Sequence, residues 1–415
     1  MKDLDPRMLS DETMSHDLAT SPTVRPIAQS STFWIQELKK PSWPEQPHGS
    51  TELRIADLFS GCGGLSLGAS IACSHLGRRL KIALAADIWH DALEVYKRNF
   101  SSYLENSTTK DLAALVESPG SVTLSLEGKH LADSIGEVDV VLAGPPCQGH
   151  SDLNNSSRRD DPRNLLYTVP VAFGLHKRAK LILVENVPNV IHSKKGVVRA
   201  ALQTLEEQGY AVTEFVADAQ DIGLPQTRRR HILIASKLHS LEELLEALAT
   251  IPRRGHDVRL WDFIADLEHE MEVEGSLKTK RSGISAENRA RIDYLFKSGS
   301  YDLPNHLRPP CHRDKTHSYV SMYGRLNPEL PAQTITSGYG SMGQGRFVHP
   351  TQPRMITSHE AARIQGFPDY FEFEPVSKLT ALREMIGNAV APPVAATLLM
   401  QLLSPVMARD SLASI

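Results

Sequence analysis

Four side chains carry the chemistry this sequence could do. Cys147 lies in "VDVVLAGPPCQGHSDLN", where an apolar run breaks at Pro145-Pro146 and presents one thiol. Proline fixes φ and removes a donor, so the turn is stiff and the thiol stands just past a strand end. Free cysteines are commonly inert buried residues. The polar neighbours Gln148, His150, Ser151, Asp152, Asn154 and Asn155 argue against a purely packed role. A thiolate whose pKa is lowered by its surroundings is a good nucleophile. Glu185 closes the apolar run "LILVENV", and a carboxylate there needs a partner or a task because burial is costly. Arg228 and Arg230, in "QTRRR", share one side of an extended segment because side chains alternate. A solvated basic edge is the alternative for this run.

A second constellation suits a nucleotide-like ligand. "DLFSGCGGLSLG" (57–68) follows an apolar run and opens a helix, with glycines at 61, 63 and 64. Such a loop turns tightly and lets a ligand approach the backbone and free helix N–H groups. The spacing is not GxGxxG. The next apolar run ends at Asp87, whose carboxylate could accept from ribose hydroxyls or could cap the following helix.

The elements that position these residues are legible as a pattern. Apolar runs at 53–59, 81–87, 138–144 and 180–187 read as buried strands, continuous as in parallel sheets covered on both faces. Helical stretches at 90–100 and 164–179 alternate with them, and 211–236 reads as two strands around a longer connection. The expected fold is a doubly wound, mostly parallel α/β sheet. Residues 1–50 are polar and read as a flexible extension, although "STFWIQELKKPSW" could dock locally. A helix at "LHSLEELLEALATI" opens a second, irregular region, and "ITSHEAARIQGF" starts a helix at Ser358. The expected division is 1–50, then 51–237 plus 381–415 as the ligand-binding unit, with 238–380 as the second domain.

Bulk properties exclude several classes. The 415 residues are 41% apolar and 23% charged, with a net charge of −4, as in ordinary globular proteins. Cys62, Cys73, Cys147 and Cys311 lack zinc or disulfide-framework spacing, so no metal is expected. The N-terminal stretch lacks a signal-peptide core, and no run of about 18 apolar residues stands out. A cytoplasmic, membrane-free protein is expected.

Taken in order, "DLFSGCGGLSLG", "GPPCQGHS", "ENV", "QTRRR", "EAARIQGFPD" and "IGNAVAPPVA" resemble the motifs of bacterial-type cytosine-C5 DNA methyltransferases, over about residues 53–400. The resemblance implies a Rossmann-like methyltransferase sheet with a smaller target-recognition domain, and S-adenosylmethionine as donor. It implies that Cys147 adds to C6 of cytosine and that Glu185 contacts N3 and the exocyclic amine. Arg228 would help hold the base, and Arg230 the carboxylate network. Phe59, Ser60, Gly61, Cys62, Gly63, Gly64 and Leu65 would line the donor site with Pro146, Asn388 and Ala389. Asp87 would bind the ribose, Ile88 would face the adenine, and Asp111 would bind its amine; Leu166 is a weaker carry-over. His150 stands where the family often has an aromatic residue, and His359 where it often has arginine.

A cytosine must leave its duplex to meet a thiolate. The loop after Cys147 is the expected lid: Arg158 and Arg159 would meet phosphates, while Gln148, His150 and Ser151 would occupy the vacated space. Residues 276–316 hold nine Lys/Arg against four Asp/Glu, a local +5 that suits a phosphate-facing surface. Double-stranded DNA is the expected partner, with a separately acting restriction endonuclease as a further one and a monomer as the expected state. Two alternatives stand beside this reading: a tRNA cytosine-C5 methyltransferase, and a non-catalytic DNA-binding homologue.

Overall fold

The structure, a computed structural model, describes residues 31–47, 51–146, 162–192, 196–251, 258–313 and 322–412. Seven strands form one sheet: β1 (Glu52–Leu58), β2 (Arg79–Asp87), β3 (Ser107–Thr109), β4 (Val140–Ala143), β5 (Leu181–Asn186), β6 (Ala211–Asp218) and β7 (Arg229–Ser236). Their order is β3-β2-β1-β4-β5-β7-β6. Pairings among the first five are parallel, and β7 runs antiparallel to both β5 and β6. The sheet is thus the mostly parallel α/β sheet expected. Its order reverses between β1 and β4, so the loops leaving these strands flank the crevice where such sheets take ligands.

Alternation sends each strand's side chains to two cores. Val140, Leu142, Leu181, Leu183, Ile232 and Ile234 face one. Val141, Ala143, Ile182, Val184, Leu233 and Ala235 face the other. In chain order the helices are α1 (Ser31–Leu38), α2 (Gly64–His75), α3 (His90–Phe100), α4 (Leu126–Asp133), α5 (Val169–Lys177), α6 (Val197–Glu207) and α7 (Leu241–Ala249). They continue as α8 (Leu260–Ile264), α9 (Ala286–Lys297), α10 (Pro310–Arg313), α11 (Ser358–Gln365), α12 (Leu379–Asn388) and α13 (Pro392–Leu412). Buried residues of α4, α5 and α6 join the second core; those of α2, α3, α7, α11, α12 and α13 join the first. The stretch Leu379–Ser404 is long and apolar enough to span a membrane, but 83% of its most apolar 18-residue window is buried inside the fold. It is a core element.

Residues 31–47 correct the expectation of a flexible extension. Trp34 and Leu38 of α1 are fully buried. Trp43 packs on Tyr370 and Phe100, with ring centroids 4.8 and 5.4 Å away. Glu37, also buried, meets Lys40 at 2.7 Å and His75 at 3.3 Å. Trp34 and Leu38, with Phe33, Ile35 and Trp43 packed against the same core, supply enough apolar surface to anchor the stretch. Residues 1–30 lie outside the described residues.

Helix α7 packs against β6 and α13, on the sheet side of the boundary expected at 238. The region beyond it shares the first core continuously through Phe263, Ile292, Leu295, Phe347, Phe367 and Phe371. Polar ties reinforce the junction. Thr357 and Glu360 form a capping box at α11, and Arg354 grips Glu360 through both oxygens at 2.7 and 2.8 Å. Burial alone would raise the Glu360 carboxyl, yet Arg354 and His349 bring it down to about 2. His359, at the position where arginine was expected, bridges Glu270 (2.7 Å) and Asp369 (2.9 Å). Two carboxylates around one imidazole make it a substitute cation, and they raise its pKa although burial opposes them.

Candidate active site

The loops after β1, β2, β4 and β5 and the end of α12 with the link that follows it converge on one cavity of about 310 Å³. Its wall includes Phe59, Ser60, Gly61, Cys62, Gly64 and Leu65 from the glycine loop. Asp87, Ile88 and Trp89 come from the end of β2, and Gly144, Pro145 and Pro146 from the end of β4. Glu185 and Arg230 stand on β5 and β7, and Glu384, Met385 and 387–390 close the far side. Among the residues expected at a donor site, the structure brings all but Gly63, Asp111 and Leu166 into this wall.

The glycine loop turns through positive φ at Phe59, Gly61 and Gly63 before α2 begins. A Cβ on Gly64 would lie 2.3 Å from the Val390 carbonyl oxygen, so only glycine lets the final segment close over the loop. Asp87 ties the loop to its own strand. Its Oδ2 accepts the Gly61 N–H at 2.8 Å and its Oδ1 the Trp89 N–H at 2.7 Å. Burial raises the Asp87 pKa, and these two N–H groups oppose the rise. The helix-capping alternative does not hold, since the N-cap of α3 is Trp89, without a side-chain cap. Ile88 is 66% exposed at the cavity mouth. The Ser60 hydroxyl is buried and has no hydrogen-bond partner among the described residues. Cys62 is buried, which pushes its thiol up to about 12 and makes it a wall, not a nucleophile.

Three residues expected at the donor site lie outside this wall. Asp111 is exposed and caps a 3₁₀ turn through the Ala113 N–H at 3.0 Å, because the chain turns sharply straight after β3. Leu166 packs into the second core, on the sheet face away from the glycine-loop helix. Gly63 turns the chain at φ 103° against Phe100 and Tyr96 and leaves the cavity wall to its neighbours.

The acid and the arginines come together by register. Glu185 pairs with Ile232 across β5 and β7, so Arg230, two residues earlier, shares its face. Arg230 Nε meets Glu185 Oε1 at 2.8 Å, with the two side chains 18% and 8% exposed. The other oxygen, Oε2, lies 3.7 Å from where a Cβ on Gly144 would stand, over the end of β4. The Asn186 amide donates to the Pro145 carbonyl at 3.2 Å and fastens the Pro-Pro turn to β5. Arg228 is buried, and its guanidinium donates to the carbonyls of Ile335 (3.1 Å) and Ala389 (2.8 Å). Cys147, Gln148, His150, Ser151, Arg158 and Arg159 lie outside the described residues.

Sequence reasoning missed Trp89 and the closing residues Glu384 and Met385. It also missed a polar cluster beneath the loop. Asp57 is fully buried, Ser66 donates to its Oδ2 at 2.6 Å, and Tyr96 meets Ser66 at 2.6 Å. Burial and the nearby Asp87 charge push Asp57 up to about 7 against the Ser66 hydrogen bond. An acid inside an apolar strand was the signal used for Glu185, and Asp57 carries it too.

The basic region is partly consumed by the fold. Lys278, Arg289, Arg291, Arg308 and Arg313 each donate to a backbone carbonyl. Lys280, Arg281 and Lys297 are exposed.

Comparison with known proteins agrees with this architecture. The chain matches the model of the C-5 cytosine-specific DNA methylase family over residues 53–404. It is 43% identical over 367 residues to the type II methyltransferase M1.BsuMI of Bacillus subtilis (strain 168), covering 86% of this chain and 83% of that one. It is 30% identical over 351 residues to the type II methyltransferase M1.HphI of Haemophilus parahaemolyticus, covering 83% and 84%. A prophage-encoded DNA modification methyltransferase structure from E. coli superimposes with a TM-score of 0.57 at 26% identity, covering 86% and 99%. The S. pombe Dnmt2 methyltransferase structure, at 19% identity and TM-score 0.55 over 86% and 99%, shares the fold. This chain belongs to the C-5 cytosine-specific DNA methylases, and its reaction is methyl transfer from S-adenosylmethionine to C5 of cytosine in double-stranded DNA.

Proposed function

We propose that Cys147 is the nucleophile of this reaction and that the 310 Å³ cavity holds the methyl donor. The wall fits such a donor: glycine backbone on one side, the Asp87 carboxylate on another, and the buried Ser60 hydroxyl, which has no partner among the described residues. S-adenosylmethionine supplies an electrophilic methyl group on a sulfonium. Everything else falls to the chain. The Cys147 sulfur bonds to C6 of a cytosine turned out of its helix, and the ring becomes nucleophilic at C5. After C5 has taken the methyl group, its proton leaves to a base and the C6–S bond breaks, returning the thiolate. Glu185, fixed by Arg230, stabilises the ring as charge develops during sulfur addition. Arg228 holds the wall at Ala389 and helps keep the base in place.

The single observation that carries this reading is the convergence of the Glu185–Arg230 pair and the Pro145-Pro146 turn on the glycine-loop cavity. Residues 238–380 serve as the target-recognition region, with Gln148, His150, Ser151, Arg158 and Arg159 as the DNA contacts around the flipped base. The enzyme acts as a cytoplasmic monomer. The names of its relatives, type II methyltransferases, support a modification role beside a separate restriction endonuclease. Incubation with methyl-labelled donor and mixed-sequence duplex DNA should yield 5-methylcytosine at one sequence, read by bisulfite sequencing. Cys147→Ser should abolish it; full activity in that variant would remove Cys147 from the mechanism. Methylation of tRNA in preference to duplex would favour the alternative substrate.

A further inference from the structure

Four chain segments meet at a buried polar node behind the cavity. The Ala389 carbonyl, on the cavity wall, accepts from Gln365 Nε2 at 2.7 Å and from Arg228 Nη2 at 2.8 Å. Gln365 Oε1 in turn accepts from Gln226 Nε2 at 3.0 Å, and Gln226 also donates to the Ile364 carbonyl at 3.0 Å. Gln226 and Gln365 are fully buried. The same node reaches the second region. Arg228 Nη1 donates to the Ile335 carbonyl at 3.1 Å, and the segment 225–227 exchanges backbone hydrogen bonds with Ala332 at 2.8 Å. Arg383, one residue before the cavity-lining Glu384, donates to Ser282 at 2.6 Å and lies over the Tyr339 ring. The wall at 387–389 is therefore tied through Arg228 to the loop at 332–339, and neither glutamine lines the cavity.

We propose that Gln365, braced by Gln226, is a positioning residue for the methyl-donor cavity, and that this node couples donor affinity to engagement of DNA by the 238–380 region. The proposal rests on the donor-site reading above. Its physical basis is that a fully satisfied buried network holds one arrangement, while loss of a member admits others. In Gln365→Met the Ala389 carbonyl keeps Arg228 and Gln226 keeps Ile364, so neither partner is left bare.

The test compares wild type, Gln365→Met and Gln226→Met, each first checked for a cooperative melt. Steady-state methylation of mixed-sequence duplex gives kcat and the KM for S-adenosylmethionine. Calorimetry with S-adenosylhomocysteine, with and without that duplex, gives the coupling. Gln365→Met should raise the donor KM by about 5-fold or more while kcat stays within about 2-fold, with Gln226→Met intermediate. Wild-type affinity for S-adenosylhomocysteine should differ with and without duplex, and in Gln365→Met that ratio should approach one. An unchanged KM, or a fall in kcat alone, overturns the proposal, as does a wild-type ratio of one. Should Gln365→Met not fold, Gln226→Met decides by the same criteria. A wild type that binds no S-adenosylhomocysteine would instead overturn the donor-site reading.

Discussion

Arg230 and Glu185 face each other across β7 and β5 at 2.8 Å, and both line the 310 Å³ cavity. The pair exists because β7 alone is reversed in the sheet. An antiparallel neighbour brings the residue two before Ile232 alongside the end of β5, where Ile232 itself pairs with Glu185.

Truncating either partner should therefore act on chemistry. Glu185→Ala should lower kcat by about 10²- to 10⁴-fold, the range for a lost acid–base or electrostatic group. Arg230→Met leaves the carboxylate in place but without its cation, and should lower kcat by about 10²-fold. Single-turnover transfer of labelled methyl at saturating donor and DNA measures both; activity near wild type in Glu185→Ala would exclude it from the reacting centre.

Gly64 and Gly77 separate close approach from backbone strain. A Cβ on Gly64 meets the Val390 carbonyl at 2.3 Å, whereas Gly77, at φ +64°, has open space around it. Gly64→Ala should push back the closing segment, raise the donor KM and cost about 1–3 kcal/mol. Gly77→Ala should cost about 1–2 kcal/mol through φ alone and leave KM unchanged. Equal donor KM values in the two variants would disprove the contact.

Asp57 gives the stability a pH dependence of known sign. Its pKa rises from 3.8 to about 7 through burial and the Asp87 charge, against the Ser66 hydrogen bond. Across that window the folded protein holds a proton that the unfolded chain has already lost, so stability declines as pH rises from the lower value to the upper. Asp57→Asn cannot ionise, and the decline should vanish from its curve. Urea denaturation of both proteins from about pH 5 to about pH 8 reads the difference; parallel curves would mean that Asp57 ionises freely in the fold.

Trp34 tests the docking of α1. It is fully buried among core residues, so Trp34→Ala should cost about 3–5 kcal/mol. A loss below about 1 kcal/mol in urea denaturation would mean that α1 adds little to the fold.

Much of this protein was legible along the chain because its information is local. Runs such as Leu181–Val184 announce doubly covered strands, the Gly61–Gly64 cluster announces a tight strand-to-helix turn, and Thr357 with Glu360 announces a helix start. These depend on period, sterics and capping within a few residues, so the α/β class and the tight turn after β1 could be expected before any coordinates. Distance in sequence hid the rest. Gly64 needs its missing side chain because of Val390, and Arg228 finds Ile335 and Ala389 more than a hundred residues away. Asp111 is expected at the adenine amine, and only the course of the chain after β3 shows its carboxylate accepting the Ala113 N–H. Residue types and local spacing determined what chemistry was available and which strands would carry it. The reversed β7, the α1 anchor and the node at Ala389 were decided by packing between distant segments, because burial and hydrogen bonding select partners by proximity in the folded state.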